Sequence, residues 1–218
     1  MPKLDRRQTL ALMAASTLGA CATPQEQALD RASPPSPLFA HGVASGDPQA
    51  TSVVLWTRVT TDAADVAGTC QLARDKAFTD IVAEQAVTAS GEADHTVKCI
   101  PDGLTPGATY YYRFVFDGAV SPVGRTKTLP VGKVDKLGIA LISCSNFPFG
   151  YFNAYDAIAK DPAIDVVLHT GDYIYEYGAD GWGKETGASI GRVHSPANEI
   201  LSLTDYRQRH AQYKTERQ

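Results

Sequence analysis

From residue 38 to about 130 apolar and polar positions alternate in short runs. Ser52-Val53-Val54-Leu55-Trp56-Thr57-Arg58-Val59 is rich in β-branched residues and predicts a half-buried strand. Weaker strands follow at 69–73, 82–88 and 95–100, and a Tyr-rich one at 109–116. Asp117-Gly118 marks a hairpin turn, and 125–129 closes that hairpin. Short strands with turns roughly every ten residues predict an all-β sandwich over 38–130.

The pattern changes after Pro130-Val131-Gly132-Lys133-Val134-Asp135, which reads as a linker. Leu137 to Ser143 is a wholly apolar strand, 152–160 fits a helix, and Val166-Val167-Leu168-His169 is a second apolar strand. Strand, helix, strand in about thirty residues predicts a βαβ unit of a parallel sheet. A Gly-rich stretch, 178–195, reads as a long loop, and 201–218 as a helix starting near Thr204 and Asp205. Two parallel strands do not bury both their faces alone. The α/β domain, 136–218, is therefore expected to be incomplete. In the first domain, Leu104-Thr105-Pro106 running into Tyr110-Tyr111-Tyr112 resembles the tyrosine corner of fibronectin- and Ig-like sandwiches.

Ahead of both domains, Asp5-Arg6-Arg7-Gln8-Thr9-Leu10 is a twin-arginine signature. It leads into an apolar run too short to span a bilayer. Residues 1–22 therefore read as an export signal carried by Arg6 and Arg7. Leu18-Gly19-Ala20-Cys21 resembles a lipobox, which would make Cys21 a lipidated terminus. Ala20-Cys21-Ala22 equally fits ordinary signal cleavage. Residues 23–37, with Pro24, Pro34, Pro35 and Pro37, form a flexible tether. These features point to twin-arginine export and a periplasmic or membrane-tethered location on the outer side of the inner membrane.

Composition alters this picture little. With 44% hydrophobic and 20% charged residues in 218, the chain is an ordinary globular one. A formal net charge of −4 shows no basic footprint for nucleic acid. In an oxidising compartment Cys70 and Cys99 either pair within one domain or stay as buried free thiols, and Cys144 is left over.

Ligands bind at the carboxyl ends of parallel strands. One end presents Ser143-Cys144-Ser145-Asn146 and the other Gly171-Asp172-Tyr173-Ile174-Tyr175-Glu176. Asp172 is placed to bridge ions, and Tyr175 lies three residues on. A phenolate forms near neutral pH only on a strongly acidic ion such as Fe(III), and a thiolate from Cys144 suits the same ion. The Gly-Asp-x-x-Tyr spacing is similar to the iron-binding motif of purple acid phosphatases. Alone, it is more often an N-cap Asp beside packed tyrosines. His169 reads as a packed strand-end histidine.

Taken together the blocks are specific. Phe39-Ala40-His41-Gly42-Val43-Ala44-Ser45-Gly46-Asp47-Pro48 with Ser52–Arg58 resembles the opening of the PhoD alkaline phosphatase family. So do Ser143-Cys144-Ser145-Asn146 with Gly150–Tyr155, His169–Gly178, and Tyr206-Arg207-x-Arg209 with Ala211-Gln212-Tyr213, all in the family's order. The resemblance implies an N-terminal β-sandwich followed by a metallophosphatase α/β domain that hydrolyses phosphate esters with Fe(III) and Ca(II). It implies Cys144, Asp172 and Tyr175 as metal ligands, with Asp172 also catalytic. Further ligands, in an Asp-His-Glu block and later histidines, are expected beyond Gln218. The 218 residues alone are then expected to be inactive. The alternative is a non-catalytic, lipid-tethered β-sandwich binding module or a degenerate gene product.

Overall fold

A computed structural model describes residues 36–216. Arg6, Arg7, Cys21 and nearly all of the expected tether lie outside the described residues.

Eight strands build the expected sandwich: β1 (Val43–Gly46), β2 (Val54–Arg58), β3 (Asp65–Ala73), β4 (Ile81–Ser90), β5 (Thr96–Cys99), β6 (Thr109–Phe116), β7 (Ala119–Val120) and β8 (Gly124–Lys127). One antiparallel sheet runs β1-β2-β5. The other runs β4-β3-β6, with β7 and β8 both paired to β6. Alternation decides which side chains enter the core. Along β6, Tyr110, Tyr112, Phe114 and Phe116 are buried while their neighbours face outward. They meet Phe39, Val53, Leu55 and Leu72 from the other elements. Each such side chain contributes roughly 1.5–3 kcal/mol on burial. Gly68 lies opposite Phe116 in the register, and a Cβ there would come within 2.5 Å of the Phe116 ring. The ring occupies the space that a larger residue would need.

The tyrosine corner is present. The Tyr110 hydroxyl accepts from the Thr105 amide at 2.9 Å. Thr128 Oγ1 donates to Thr105 O at 2.7 Å, and Ala108 N donates to Thr128 Oγ1 at 3.0 Å. The turn is therefore tied from two sides.

Cys70 and Cys99 are both buried free thiols, so the pairing read as one alternative is not formed. They sit on opposite sheets and meet across the core. Contact with Cys99 and burial push the Cys70 thiol up. Cys99 Sγ donates to Gln85 Oε1 at 3.0 Å.

The second part is the expected parallel unit: β9 (Ile139–Ile142), α1 (Asn153–Lys160) and β10 (Val166–His169). β9 and β10 pair in parallel, with Ile142 opposite His169. Ile139, Leu141, Val167 and Leu168 remain exposed on this two-stranded sheet. Helix α3 (Leu203–Lys214) starts at a capping box in which Ser202 and Asp205 each satisfy the other's backbone amide. It leans on the sandwich, where His210 meets Trp56 edge to face at 6.3 Å.

One expectation needs correction, and one strand was not read from the sequence. The stretch 178–195 is not loop throughout, because Lys184–Ile190 forms a short helix, α2. Gly183 and Gly191 bound it in the left-handed region, and glycine adopts that backbone without strain. Strand β1 was hidden in the sequence by its length of four residues and the adjoining Gly46 and Pro48.

Candidate metal centre

The two strand ends continue to pair after the strands stop. Thr170 N donates to Ile142 O at 2.9 Å, Cys144 N to Gly171 O at 3.1 Å, and Ser145 N to Asp172 O at 2.9 Å. This zipper places Cys144 beside Asp172. Both residues have positive φ, 59° and 54°. Such backbone costs a non-glycine residue about 1–3 kcal/mol and persists where surrounding structure enforces it.

The side chains converge on one atom. Asp172 Oδ2 accepts from Cys144 Sγ at 3.2 Å and from Tyr175 OH at 3.2 Å. Burial, the Cys144 contact and the Asp172 charge all push the Tyr175 phenol above its ordinary range. Among the described residues no three His, Cys, Asp or Glu side chains gather. The cluster reaches three donors only through Tyr175.

Two sets of groups support the cluster. Beneath it, Ser145 Oγ contacts Tyr155 OH and lies 3.2 Å from His169 Nε2. Gly171 N donates to His169 Nδ1 at 3.4 Å. His169 is thus more than packing, since it bonds to both zipper segments. On the far side stands Arg209, fully buried in α3. Its Nη1 donates to Tyr175 O at 2.5 Å and Tyr177 O at 3.0 Å, its Nε to Ser195 O, and its Nη2 to Pro196 O. Four carbonyls are gathered by one planar fork, which holds the backbone carrying Tyr175. The sequence showed Arg209 only as part of a motif. Nothing local revealed that it would be buried.

Cys144 and Tyr175 open onto a cleft of about 360 Å³ walled by Phe149, Tyr151, Phe152 and Trp182. Asn146 also lines it, 7% exposed, with both amide heteroatoms unpaired. An unmatched buried polar atom costs about 1–3 kcal/mol, so this amide offers a donor and an acceptor to an occupant.

Two family models match, the N-terminal domain of PhoD-like phosphatases over 22–130 and the PhoD-like phosphatase model over 139–218. The chain belongs to the PhoD-like phosphatase family. It is 43% identical to the Bacillus subtilis (strain 168) protein alkaline phosphatase D over 188 residues, which cover 82% of this chain and 32% of that one. A solved structure of PhoD superposes with a TM-score of 0.76 at 42% identity, covering 82% of this chain and 35% of that one. The chain thus spans about a third of the length of these PhoD relatives.

The donor set can be tested against the implied metals. Sulfur, carboxylate and phenol oxygen meeting at one point suit a strongly Lewis-acidic first-row ion. That fits Fe(III). It does not fit Ca(II), which takes six to eight oxygens, whereas Asp172 is the one carboxylate in this cluster among the described residues.

Proposed function

We propose that this PhoD-like chain belongs to an exported, metal-dependent phosphoric ester hydrolase, and that Cys144, Asp172 and Tyr175 hold Fe(III) in it. The observation that carries the reading is the meeting of Cys144 Sγ and Tyr175 OH on Asp172 Oδ2. These groups belong to segments 28 residues apart in the chain.

Ferric iron, when bound, supplies Lewis acidity toward a phosphoryl oxygen. The protein's own residues do the rest of the positioning. The zipper between Cys144–Ser145 and Gly171–Asp172 fixes the spacing of thiol and carboxylate. Arg209 fixes the backbone that carries Tyr175. In the overall reaction water forms a new P–O bond, the ester P–O bond breaks, and the departing alcohol takes a proton. The described residues supply three donors, so the activity we assign to them by themselves is iron capture, not turnover. The twin-arginine signature at Arg6 and Arg7 supports export to the periplasm, with tethering to the membrane if Cys21 is lipidated. Among the described residues no helix is long and apolar enough to cross a membrane.

The test is a ferric titration of the chain followed in the visible range. Phenolate and thiolate bound to Fe(III) give charge-transfer colour. A saturable band at one equivalent, lost in Asp172→Ala and Tyr175→Phe, is expected. No band, or one unchanged in both variants, overturns the assignment.

A further inference from the structure

The cleft beside the cluster is walled by aromatic rings and by no charged residue. Trp182 is 56% exposed, Phe149 46% and Tyr151 60%, an unusual outlay of large apolar surface around one opening. The rings are held in place. Trp182 packs on Phe149 at 4.8 Å, on Tyr175 at 5.9 Å and on Tyr177 at 6.0 Å. The buried Arg192 guanidinium lies 4.5 Å from the Tyr151 ring and 3.7 Å from that of Phe147. At about 360 Å³ the opening falls within the range of small-molecule clefts, about 300–1,000 Å³.

We infer that this wall is the subsite for the alcohol portion of the phosphate ester, and that it selects esters whose alcohol carries a planar aromatic ring such as a nucleobase. The inference rests on the proposed phosphoester site at Cys144, Asp172 and Tyr175. Cys144 and Tyr175 line the same cleft as Trp182, whose ring lies 5.9 Å from that of Tyr175, so a phosphoryl group held there has this wall beside it. An uncharged wall gives no ion-pair partner to an anionic substituent, and the Asn146 amide by itself is a small hydrogen-bond set for a polyol. A ring stacks on it without needing either. A quaternary ammonium group needs rings splayed around a void. Phe149 and Trp182 instead lie against each other.

The test compares adenosine 5′-monophosphate with ribose 5-phosphate, which differ only in the base. Each is titrated calorimetrically into the chain with one equivalent of ferric citrate. Expected is roughly tenfold or tighter binding of the nucleotide. The preference should fall below about twofold in Trp182→Ala and return in Trp182→Phe. Equal binding of the two esters overturns the subsite and leaves the phosphoester reading standing. Binding of neither ester, with the band present, overturns both. Tighter binding of phosphocholine than of the nucleotide also overturns the subsite, in favour of a cation-binding wall.

Discussion

Arg209 holds Tyr175 by its main chain, Nη1 donating to the Tyr175 carbonyl at 2.5 Å from 34 residues away. Among the described residues the guanidinium hydrogen-bonds carbonyls and no carboxylate, with Glu176 and Asp205 acting on it only through charge. Burial lowers its pKa, and its charge is met by carbonyl dipoles. Arg209→Lys keeps the charge but replaces a planar fork by a single ammonium group. We expect it to lose about 2–4 kcal/mol of stability by leaving carbonyls and charge poorly matched. The ferric band should weaken in the same variant, because the segment carrying Tyr175 loosens. Denaturant unfolding and the visible titration check the two effects separately.

Tyr110→Phe isolates the sandwich. It removes only the hydroxyl that receives the Thr105 amide. Leaving that amide unpaired should cost about 1–3 kcal/mol, read as a lower denaturation midpoint. Iron binding should not change.

The thiols should separate by accessibility. Cys144 is exposed, whereas Cys70 and Cys99 are buried. Iodoacetamide followed by peptide mass mapping should modify Cys144 in the native chain, and Cys70 and Cys99 only in denaturant. Ferric iron should protect Cys144. Protection of Cys144 by iron in Asp172→Ala would count against the shared site.

Stability should fall in mild acid. Burial, and then the Arg209 charge, lower the His194 pKa from 6.5 to about 4. Its Nδ1 donates to Tyr177 O at 2.9 Å and its Nε2 faces the Tyr213 hydroxyl, bonds that suit the neutral ring. Between pH 6.5 and 4 the unfolded chain takes up a proton at this position and the folded chain does not. Stability therefore drops as pH falls through that window, by up to about 3 kcal/mol, and this contribution is flat below it. His41, lowered to about 4 by burial and Arg58, adds a slope of the same sign. Melting curves across the window should show a shallower loss in His194→Gln than in the parent chain.

Period and punctuation made much of the architecture legible from sequence. The Tyr-rich run 109–116 announced β6, and Leu104-Thr105-Pro106 before Tyr110 announced the corner, because both depend on residues close in the chain; which face of β6 turns inward came with the structure. The apolar runs at 137–143 and 166–169 announced β9 and β10 in the same way, and the residues just after them named Cys144, Asp172 and Tyr175. Sequence alone also carried the family blocks. Their order determined membership.

Tertiary structure decided the rest, because it depends on which distant segments meet. The register of β9 against β10 set Cys144 next to Asp172, whereas a slip of one residue would have turned their neighbours to opposite faces. Burial of Arg209, the His169 bonds and the unpaired amide of Asn146 came from segments packed around them, and no local pattern encodes that packing. Cys70 and Cys99 make the same point. Their sequence spacing allowed a bond or two free thiols. The fold placed them across the core as free thiols, with Cys99 donating to Gln85.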